Sequence, residues 1–552
     1  MEKYYWLNDV SRAFLDKGYL INGQTAEARI RQIAEHAEGI LGMAGFADKF
    51  EDYMSRGYYS FSTPVWTNYG LDRGLPISCF GSYIEDDMAS ILFTQAEVGM
   101  MSKYGGGTSA YFGKLRPRGS EIKNNGQSSG AVHFMELFDK ITDVVSQGSS
   151  RRGHLSPYLD IEHGDIKEFM KIGTEGHPIQ KLTHGVCVGD EWMQSMIDGD
   201  VEKRTLWAEI LKSRSEVGYP YLFFKDTVNN NKPECYQNHT ITHSNMCSEI
   251  ALPDSADESF VCCLSSINVL HWDAIKETDA VETMLYFLDT VIEDFIQKLE
   301  SETDSLKKLF MSRPLRFAKR HRAVGLGVLG RHSYLQDNMI AYESDQAREL
   351  NKEIFKTIQE RALKASQDLA QQFGETEMTQ GTGRRNTTLM AVAPTTSSAF
   401  IIGQVSQSIE PYWSNYFIKD TAKAKHTFKN PYLERELEQL GFNTPETWEL
   451  IKQADGSVQH IENLPQELKD VFKTFGEIDQ YKIIDQAGDR QKYIDQGQSL
   501  NILVPGTMPA KDINQLHIYA WKQGVKALYY QHSFNAAQVV KRQKVSCVGC
   551  EA

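Results

Sequence analysis

Helical runs alternate with short strand-like runs over most of this 552-residue chain. Apolar residues recur at helical spacing in residues 131–145 and 281–299. Residues 182–188, 249–252 and 388–393 are instead short apolar runs that predict strands. Such alternation favours an α/β architecture, and no internal repeat with a fixed period accompanies it.

The two ends and one internal segment differ from this alternating part. Residues 1–60 are predicted to form a short helical N-terminal region, with helical spacing over residues 26–47. Residues 61–535 are predicted to form the main domain, and residues 419–493, which are charged and helical, to be a peripheral insertion. Residues 536–552 contain few large apolar side chains and predict a mobile tail.

Charge and hydropathy argue against two kinds of partner. The 59 basic and 73 acidic residues give a formal net charge of −14, and such a surface repels nucleic acid. The longest apolar stretches, such as residues 399–405, are far shorter than the ~20 residues that span a bilayer, so no membrane contact is expected. The first residues lack a signal-peptide pattern, and we expect a cytoplasmic protein.

The eight cysteines do not indicate a disulfide framework, because the chain is long and shows no secretion signal. Redox chemistry, metal binding and core packing all remain open for them. Cys547 and Cys550 form a C-x-x-C pair in the predicted tail. With no second pair at suitable spacing a zinc site is poorly supported, whereas a dithiol in a mobile terminus is typical of a redox shuttle.

Asn245, Cys247 and Glu249 occupy alternate positions in the sequence. In an extended segment, these positions would present an amide, a thiol and a carboxylate on one face. A carboxylate in that position can act as an acid or base toward a substrate hydroxyl. A polar edge strand with no function would show the same pattern.

Two pairs of adjacent residues also attract attention. Strand alternation puts Cys262 and Cys263 on opposite faces. Buried cysteines are common in protein cores, so this pair alone does not indicate a function.

Tyr529 and Tyr530 follow an apolar run at residues 525–528. Such a pair usually packs in a core, but stacked phenols can also carry a radical.

Two further motifs have both a functional and a structural interpretation. Gly325, Gly327 and Gly330 spell G-x-G-x-x-G, but the basic residues 315–322 before them do not resemble a buried strand. Close backbone packing is therefore favoured over a dinucleotide site. The P-T-T-S-S run at residues 394–398 marks a helix start, which suits either an anion cradle or simple N-capping.

Taken together, the motifs resemble those of the catalytic large subunit of class I ribonucleotide reductase. The resemblance is carried, in chain order, by S-C-F at 78–80, N-M-C-S-E at 245–249, C-C-L-S-S-I-N at 262–268, P-T-T-S-S at 394–398, Y-Y at 529–530 and the terminal C-x-x-C. It covers the chain from near Thr63 onward. It implies a ten-stranded α/β barrel of two five-stranded halves with a central finger loop, preceded by the short helical N-terminal region.

The family's thiyl-radical chemistry implies roles for five residues. Cys247 matches the finger-loop cysteine that becomes a thiyl radical and takes the 3′ hydrogen of the ribose. Glu249 matches the base for the 3′ hydroxyl, and Asn245 matches the amide that orients the substrate. Cys79 and Cys262 match the pair that supplies reducing equivalents as the 2′ hydroxyl leaves as water, and that ends as a disulfide. Many family members lack the second adjacent cysteine, so Cys262 is assigned from its C-x-L spacing and its predicted face.

The resemblance also implies ribonucleoside diphosphate substrates and a nucleotide effector, a deoxynucleoside triphosphate or ATP, bound at a homodimer interface. The positions that match the substrate phosphate cradle are Thr63, Ser78, Thr395, Thr396, Ser397 and Ser398. Those that match effector-binding positions are Asp86, Arg116, Lys123 and Gln147. Residues 146–153 match the loop that carries effector identity to the substrate, and Arg151 in this loop is expected over the substrate.

In the class I enzymes, adjacent tyrosines relay a radical from a separate subunit, and Tyr529 and Tyr530 match both positions. The resemblance therefore implies a ferritin-like small subunit that holds a dimetal radical cofactor, with no cofactor or metal in this chain. Cys547 and Cys550 match the tail pair that reduces the inner disulfide and is itself reduced by a thioredoxin or glutaredoxin. The alternatives are a cobalamin-dependent class II reductase of the same fold and a non-enzymatic thiol or zinc protein.

Many large subunits also begin with a helical module that binds ATP or dATP. Such a module has about 100 residues, and it would need most of them to bury a hydrophobic core of its own. The family motifs begin here near Thr63. We therefore expect no full ATP-cone and a single kind of regulatory nucleotide site.

Overall fold

The computed structural model describes residues 2–21, 23–147, 151–420 and 425–533. Cys547 and Cys550 lie outside the described residues, and so does the side chain of Arg151. Within the described ranges, every helix is too short or too polar to span a lipid bilayer.

Strands and helices alternate along the described chain. The strands are β1 (Tyr59–Phe61), β2 (Cys79–Tyr83), β3 (Gly107–Tyr111), β4 (Glu121–Ile122), β5 (Gly126–Gln127), β6 (Ser146–Gln147), β7 (Arg151–Arg152), β8 (Leu155–Asp160), β9 (Gly185–Val188), β10 (Tyr221–Phe224), β11 (Phe260–Asn268), β12 (Val324–Leu329), β13 (Tyr416–Asp420), β14 (Lys425–Lys429), β15 (Ile502–Val504), β16 (Ala527–Leu528) and β17 (Gln531–Ser533). The helices are α1 (Asp9–Leu15), α2 (Ala26–Leu41), α3 (Phe46–Ser55), α4 (Thr63–Asn68), α5 (Met88–Lys103), α6 (Ala131–Val144), α7 (Ile166–Phe169), α8 (Asp190–Asp198), α9 (Val201–Val217), α10 (Lys225–Asn230), α11 (Trp272–Ile275), α12 (Ala280–Ser301), α13 (Ser305–Phe310), α14 (Ser312–His321), α15 (Arg331–Asp337), α16 (Asp345–Phe373), α17 (Thr396–Ile401), α18 (Pro431–Gln439), α19 (Pro445–Gln453), α20 (Gln466–Val471), α21 (Gln480–Gln491) and α22 (Ala510–Lys522).

The strands build a barrel from two parallel halves. In the first half, β2, β3, β8, β9 and β10 pair in parallel, each with the next. The second half begins with the parallel pair β11–β12 and continues through the parallel bridges Leu326–Met390 and Val392–Gln498 to the parallel pair β15–β17. Antiparallel pairs, β11 with β2 and β16 with β10, join the two halves. The described residues thus have the α/β barrel fold that the resemblance implied.

The segment between β10 and β11 runs through the barrel as the finger loop. Residues 249–252 were predicted to be a strand, and this prediction is wrong, because they pair with no strand among the described residues. The chain turns at Ser248, which has a φ of 69°, and the Ser248 N–H donates to the Asn245 carbonyl at 3.3 Å. The apolar run is buried by the surrounding barrel rather than by a sheet of its own.

The N-terminal helices belong to the same hydrophobic core as the barrel. The helical pattern over residues 26–47 forms two helices, since α2 ends at Gly42, whose φ of 64° closes its last turn in the left-handed conformation. β1 crosses the predicted boundary at residue 60 and pairs with β11. The N-terminal region is therefore held against the barrel by the burial of apolar surface.

Two further expectations can be compared with the structure. A separate small core is formed by residues between 433 and 472, whereas α21 packs in the main core. The predicted insertion at 419–493 therefore extends too far toward the C-terminus.

The G-x-G-x-x-G motif lies on β12 and the turn after it. A Cβ on Gly325 would lie 2.4 Å from the Leu264 side chain, so close packing explains this glycine, as predicted.

Candidate active site

A pocket lies where the finger loop meets strands of both barrel halves. The predicted residues that line it are Ser78, Cys79, Asn245, Cys247, Glu249, Thr395 and Ser398. The other polar lining residues are Ser60, Ser62, Ser265 and Ser266. Only the last two fall within a motif of the resemblance, C-C-L-S-S-I-N, and none of the four was predicted as a site residue. Isolated serines in and beside strands are too common to indicate a site without a fold.

The turn of the finger loop, rather than strand alternation, brings the amide and the carboxylate together. The Asn245 Nδ2 atom donates to Glu249 Oε1 at 2.9 Å and lies 3.3 Å from Cys79 Sγ. Cys79 Sγ lies 3.9 Å from the same carboxylate oxygen. Tyr158 donates its hydroxyl to the Asn245 carbonyl at 2.7 Å, and this holds the turn from the β8 side. The site therefore presents a carboxylate and a thiol next to one oriented amide.

The segment of residues 496–499 supports the finger loop from the opposite side. The Ser499 hydroxyl lies 3.0 Å from Glu249 Oε2 and 2.5 Å from the Cys247 carbonyl oxygen. The Gly497 N–H donates to the Glu249 carbonyl at 2.8 Å. Residues 496–499 contain no recognisable motif, so the sequence alone did not indicate them.

The two thiols proposed as reductants occupy directly paired positions on β2 and β11. Cys79 is 9% exposed and lines the pocket, whereas Cys262 is fully buried beneath it. Burial raises the pKa of the Cys262 thiol well above its usual value. Cys263 points away, as strand alternation predicted, and its sulfur lies 3.3 Å from the Leu288 carbonyl on α12.

The tyrosine pair lies directly behind the finger-loop cysteine. The Tyr529 hydroxyl lies 3.7 Å from Cys247 Sγ, and Tyr529 is only 2% exposed. The rings of Tyr529 and Tyr530 have centroids 4.4 Å apart, and the Tyr221 ring packs against both. Buried Arg214 donates to the Tyr529 carbonyl at 3.0 Å, so the backbone at the pair is fixed.

The predicted phosphate cradle is only partly assembled around the pocket. Thr395 precedes α17 and its hydroxyl accepts from the Ser408 N–H at 2.7 Å, while the Ser398 hydroxyl donates to the Phe61 carbonyl at 3.0 Å. Thr63, Thr396 and Ser397 do not line this pocket. Their side chains bond elsewhere or are buried in the protein: Thr63 contacts the Tyr19 hydroxyl, Thr396 donates to Gln407 and Ser397 is buried.

The predicted effector residues lie near α5 and the β4–β5 hairpin. Arg116 donates through Nε to Asp86 Oδ2 at 2.6 Å and through Nη1 to the Glu121 carbonyl at 3.2 Å. Lys123 lies in the turn of this hairpin and is exposed. The hairpin, Asp86 and Arg116 therefore form one local group of polar side chains.

Gln147 lies apart from that group and packs against the barrel. Its side-chain amide donates to Asn68 at 3.2 Å. A Cβ on Gly74 or Gly105 would lie within 2.4 Å of the Gln147 amide, and both glycines have positive φ. The backbone of Gln147 also pairs with that of Arg151 in the short β6–β7 ladder.

Metal-binding groups are the last feature of the site to consider. No group of three or more His, Cys, Asp or Glu side chains within the described residues is arranged to hold a metal ion. The Cys79 and Cys247 thiols, the Glu249 carboxylate and the Tyr529 phenol can support thiol redox, acid–base and radical chemistry.

Comparisons with known proteins agree on one family. A family model of the ribonucleotide reductase barrel domain matches residues 77–201, 194–382 and 375–531. The chain is 30% identical to the ribonucleoside-diphosphate reductase large subunits of Invertebrate iridescent virus 3 and Arabidopsis thaliana. The first match covers 90% of this chain and 89% of the relative, and the second covers 88% and 71%. The solved alpha subunit of a class Id ribonucleotide reductase from Actinobacillus ureae is 56% identical, with a TM-score of 0.91 over 98% of this chain and 99% of that one.

Proposed function

This chain belongs to the ribonucleotide reductase family, among the class I large subunits, and on that premise we propose that its barrel pocket reduces ribonucleoside diphosphates to 2′-deoxyribonucleoside diphosphates. The observation that carries the proposal is the meeting of four groups in one pocket, which are the Cys247 and Cys79 thiols, the Glu249 carboxylate and the Asn245 amide. Cys262 lies beneath them on the strand paired with Cys79.

Cys247 starts the reaction as a thiyl radical that takes the 3′ hydrogen of the ribose. Glu249 accepts the proton of the 3′ hydroxyl, and Asn245 orients the substrate and this carboxylate. The 2′ hydroxyl then leaves as water after it is protonated. Cys79 and Cys262 supply two electrons and two protons and become a disulfide, and Cys247 returns its hydrogen atom to C3′. The net change is one ribonucleotide and two thiols converted to one deoxyribonucleotide, one disulfide and one water.

A separate small subunit supplies the radical in this class of enzyme, and we propose that it is a ferritin-like protein with a dimetal radical cofactor. The Tyr529 hydroxyl next to Cys247 and the close contact of the Tyr529 and Tyr530 rings support a relay between the subunits. Tyr530 is the less buried of the two, which suits the outer end of the relay.

Substrate phosphates are proposed to bind beside the start of α17, where Thr395 and Ser398 line the pocket together with Ser78. Thr63, Thr396, Ser397 and Arg151 remain proposed members of this site. Among the described side chains, those of Thr63, Thr396 and Ser397 do not line the pocket, so their assignment rests on the match to the family's phosphate cradle.

Asp86, Arg116, Lys123 and Gln147 are proposed to bind a deoxynucleoside triphosphate or ATP effector at the interface of a homodimer. Exposed apolar side chains on α5 support an interface there, because Met88 is 54% and Leu92 is 48% exposed close to Asp86. Coupling between effector and substrate must be reciprocal for binding.

Cys547 and Cys550 are proposed to reduce the Cys79–Cys262 disulfide by thiol exchange and to be reduced in turn by a thioredoxin or glutaredoxin. Changing both tail cysteines to serine should abolish turnover driven by thioredoxin and spare turnover driven by dithiothreitol. Equal loss with both reductants would exclude the shuttle.

The experiment that tests the function is an assay of cytidine diphosphate reduction by the full chain with and without a class I small subunit. Deoxycytidine diphosphate should form only when both subunits and a dithiol are present. Product formation by the chain alone with adenosylcobalamin would instead support the cobalamin-dependent class. Absence of product under both conditions would contradict the proposal.

A further inference from the structure

Gln496 connects the buried thiol Cys262 to the finger loop. Its Nε2 atom lies 3.4 Å from Cys262 Sγ, 3.0 Å from Thr388 Oγ1 and 3.1 Å from the Val324 carbonyl. Its Oε1 atom accepts from the Ala251 N–H at 3.1 Å. The glutamine is fully buried, so one side chain contacts the proposed reductant pair and the loop that carries Cys247 and Glu249.

These contacts fix which end of the amide faces the sulfur. The Ala251 N–H can only donate, so it requires the oxygen of Gln496, and the Val324 carbonyl can only accept, so it requires the nitrogen. If the amide were flipped, its N–H groups would face the Ala251 N–H and its oxygen would face the Val324 carbonyl, so neither hydrogen bond could form. The amide nitrogen of Gln496 therefore faces Cys262, Thr388 and the Val324 carbonyl, and its two N–H groups are shared among these three acceptors.

A donor at this position matters when the Cys262 sulfur carries negative charge. In thiol–disulfide exchange, the incoming thiolate forms a bond to one sulfur of the disulfide, and the electron pair of the broken S–S bond stays on the other sulfur. Cys79, at 9% exposure, is the more accessible of the two sulfurs and lines the pocket, so a reductant that enters the pocket meets it first. Cys262 is then the leaving thiolate, in a place where water cannot stabilise it.

We propose that Gln496 is a positioning residue that stabilises Cys262 as the leaving thiolate when the Cys79–Cys262 disulfide is reduced. The inference rests on the proposed function, because that reaction forms the disulfide. A dithiol reductant first forms a mixed disulfide with Cys79, and its second thiol then displaces Cys79 and leaves as an intramolecular disulfide. Cys262 and Cys79 each take up one of the two protons that the reductant's thiols lose, so both cysteines end as thiols and the reductant is oxidised by two electrons.

Gln498 offers a matched control two residues away. It is also a fully buried glutamine, but it contacts Arg490 at 2.6 Å and the Ala487 carbonyl at 2.9 Å, away from the pocket. Gln498→Glu keeps an acceptor for Arg490. Gln496→Glu instead replaces the donor to Cys262 by an acceptor that carries charge when it ionises, and Gln496→Met removes the donor without adding charge.

The test follows re-reduction of the isolated full chain with Cys547 and Cys550 changed to serine, so that the reductant must reach the inner disulfide directly. The chain is oxidised with diamide and then treated with dithiothreitol, and alkylation with mass spectrometry follows the Cys79–Cys262 pair. Loss of a hydrogen bond to a charged group predicts roughly tenfold slower re-reduction in Gln496→Met. In Gln496→Glu, the defect should grow as the pH rises and the new carboxyl ionises, whereas Gln498→Glu should match the parent at each pH.

Equal re-reduction rates in the parent and Gln496→Met would overturn the proposal. So would a pH dependence of Gln496→Glu that is the same as that of Gln498→Glu, because damage to packing alone would not depend on ionisation. The readout needs neither the small subunit nor a nucleotide. A chain that fails to make deoxycytidine diphosphate but shows the Gln496 effect would contradict the proposed function, while still showing that Gln496 assists reduction of this disulfide.

Discussion

Cys79 and Cys262 face each other across the antiparallel junction of β2 and β11, as directly paired residues in the ladder. Cα atoms of such pairs lie roughly 4.5–5.5 Å apart, which falls within the range that a disulfide spans. The junction between the two barrel halves therefore brings together two thiols that are far apart in sequence and that can be oxidised without large backbone movement.

This pairing predicts different effects for serine at Cys79, Cys262 and Cys263. Cys79→Ser and Cys262→Ser should each lower multiple turnover by at least about a thousandfold, because half of the two-electron donor is missing. Cys263→Ser should stay within about threefold of wild type, because this residue faces α12. Steady-state cytidine diphosphate reduction measures all three. An inactive Cys263→Ser with an active Cys262→Ser would reverse the assignment.

Tyr529→Phe should abolish turnover while leaving substrate affinity within about twofold of wild type. Phenylalanine keeps the ring contacts with Tyr221 and Tyr530 but lacks the hydroxyl that lies 3.7 Å from Cys247 Sγ. Equilibrium binding of cytidine diphosphate and steady-state assays with the small subunit separate the two effects. Retained activity would argue against the relay and favour a cobalamin-dependent reaction.

The sequence predicted the chemical groups of this site better than their geometry. The S-C-F, N-M-C-S-E and Y-Y segments predicted Cys79, Cys247 and Tyr529 as site residues. The structure places Cys79 and Cys247 in one pocket and the Tyr529 hydroxyl 3.7 Å from Cys247 Sγ, while the roles of these residues stay predictions. The predicted cause of the convergence of Asn245 and Glu249 was wrong, because alternation along a strand was assumed where the chain makes a turn. A turn that depends on Tyr158 and residues 496–499 cannot be inferred from local pattern.

Ser499→Ala should lower kcat by roughly tenfold with little change in KM. The Ser499 hydroxyl lies 3.0 Å from Glu249 Oε2, and loss of a hydrogen bond to a charged group costs about 1.5–3 kcal/mol. The effect should appear in kcat because the carboxylate acts on the reacting hydroxyl rather than on the remote phosphates. Ser499→Thr, which keeps a hydroxyl, should recover part of the activity. An unchanged kcat in Ser499→Ala would exclude a positioning role for Ser499.

His332 should make the folded protein less stable as the pH falls. Burial, reinforced by nearby Arg331, lowers the pKa of His332 to about 3, and its Nδ1 atom accepts from the Tyr412 N–H at 2.8 Å. Below pH 6.5 the unfolded chain binds a proton at this residue and the folded chain does not, so stability present above pH 6.5 is lost toward pH 3. The free energy of unfolding should fall by up to about 1.4 kcal/mol per pH unit from this residue.

His332→Gln should reduce this dependence on pH, since glutamine can accept the same hydrogen bond and does not titrate. Urea unfolding at pH 7, 6 and 5 measures the slope for both proteins. Parallel slopes in the two proteins would show that His332 is not the group responsible.

The fold class could be predicted from the sequence, but the assignment of segments to the main core or to the insertion could not. Alternation of helices and strands indicated an α/β protein, and the ordered motifs indicated the barrel. The return of α21 to the main core depends on which apolar faces find partners. Those contacts join residues distant in sequence, so periodicity alone does not determine them.

The most direct test of the account is hydrogen abstraction at C3′ by Cys247. Cytidine diphosphate carrying tritium at C3′ should be reduced with a kinetic isotope effect, and part of the tritium should appear in water while the wild-type chain turns over with its small subunit. Cys247→Ser should bind the substrate and release no tritium above background. Product formation without any isotope effect at C3′, or tritium release by Cys247→Ser equal to that of wild type, would contradict the account.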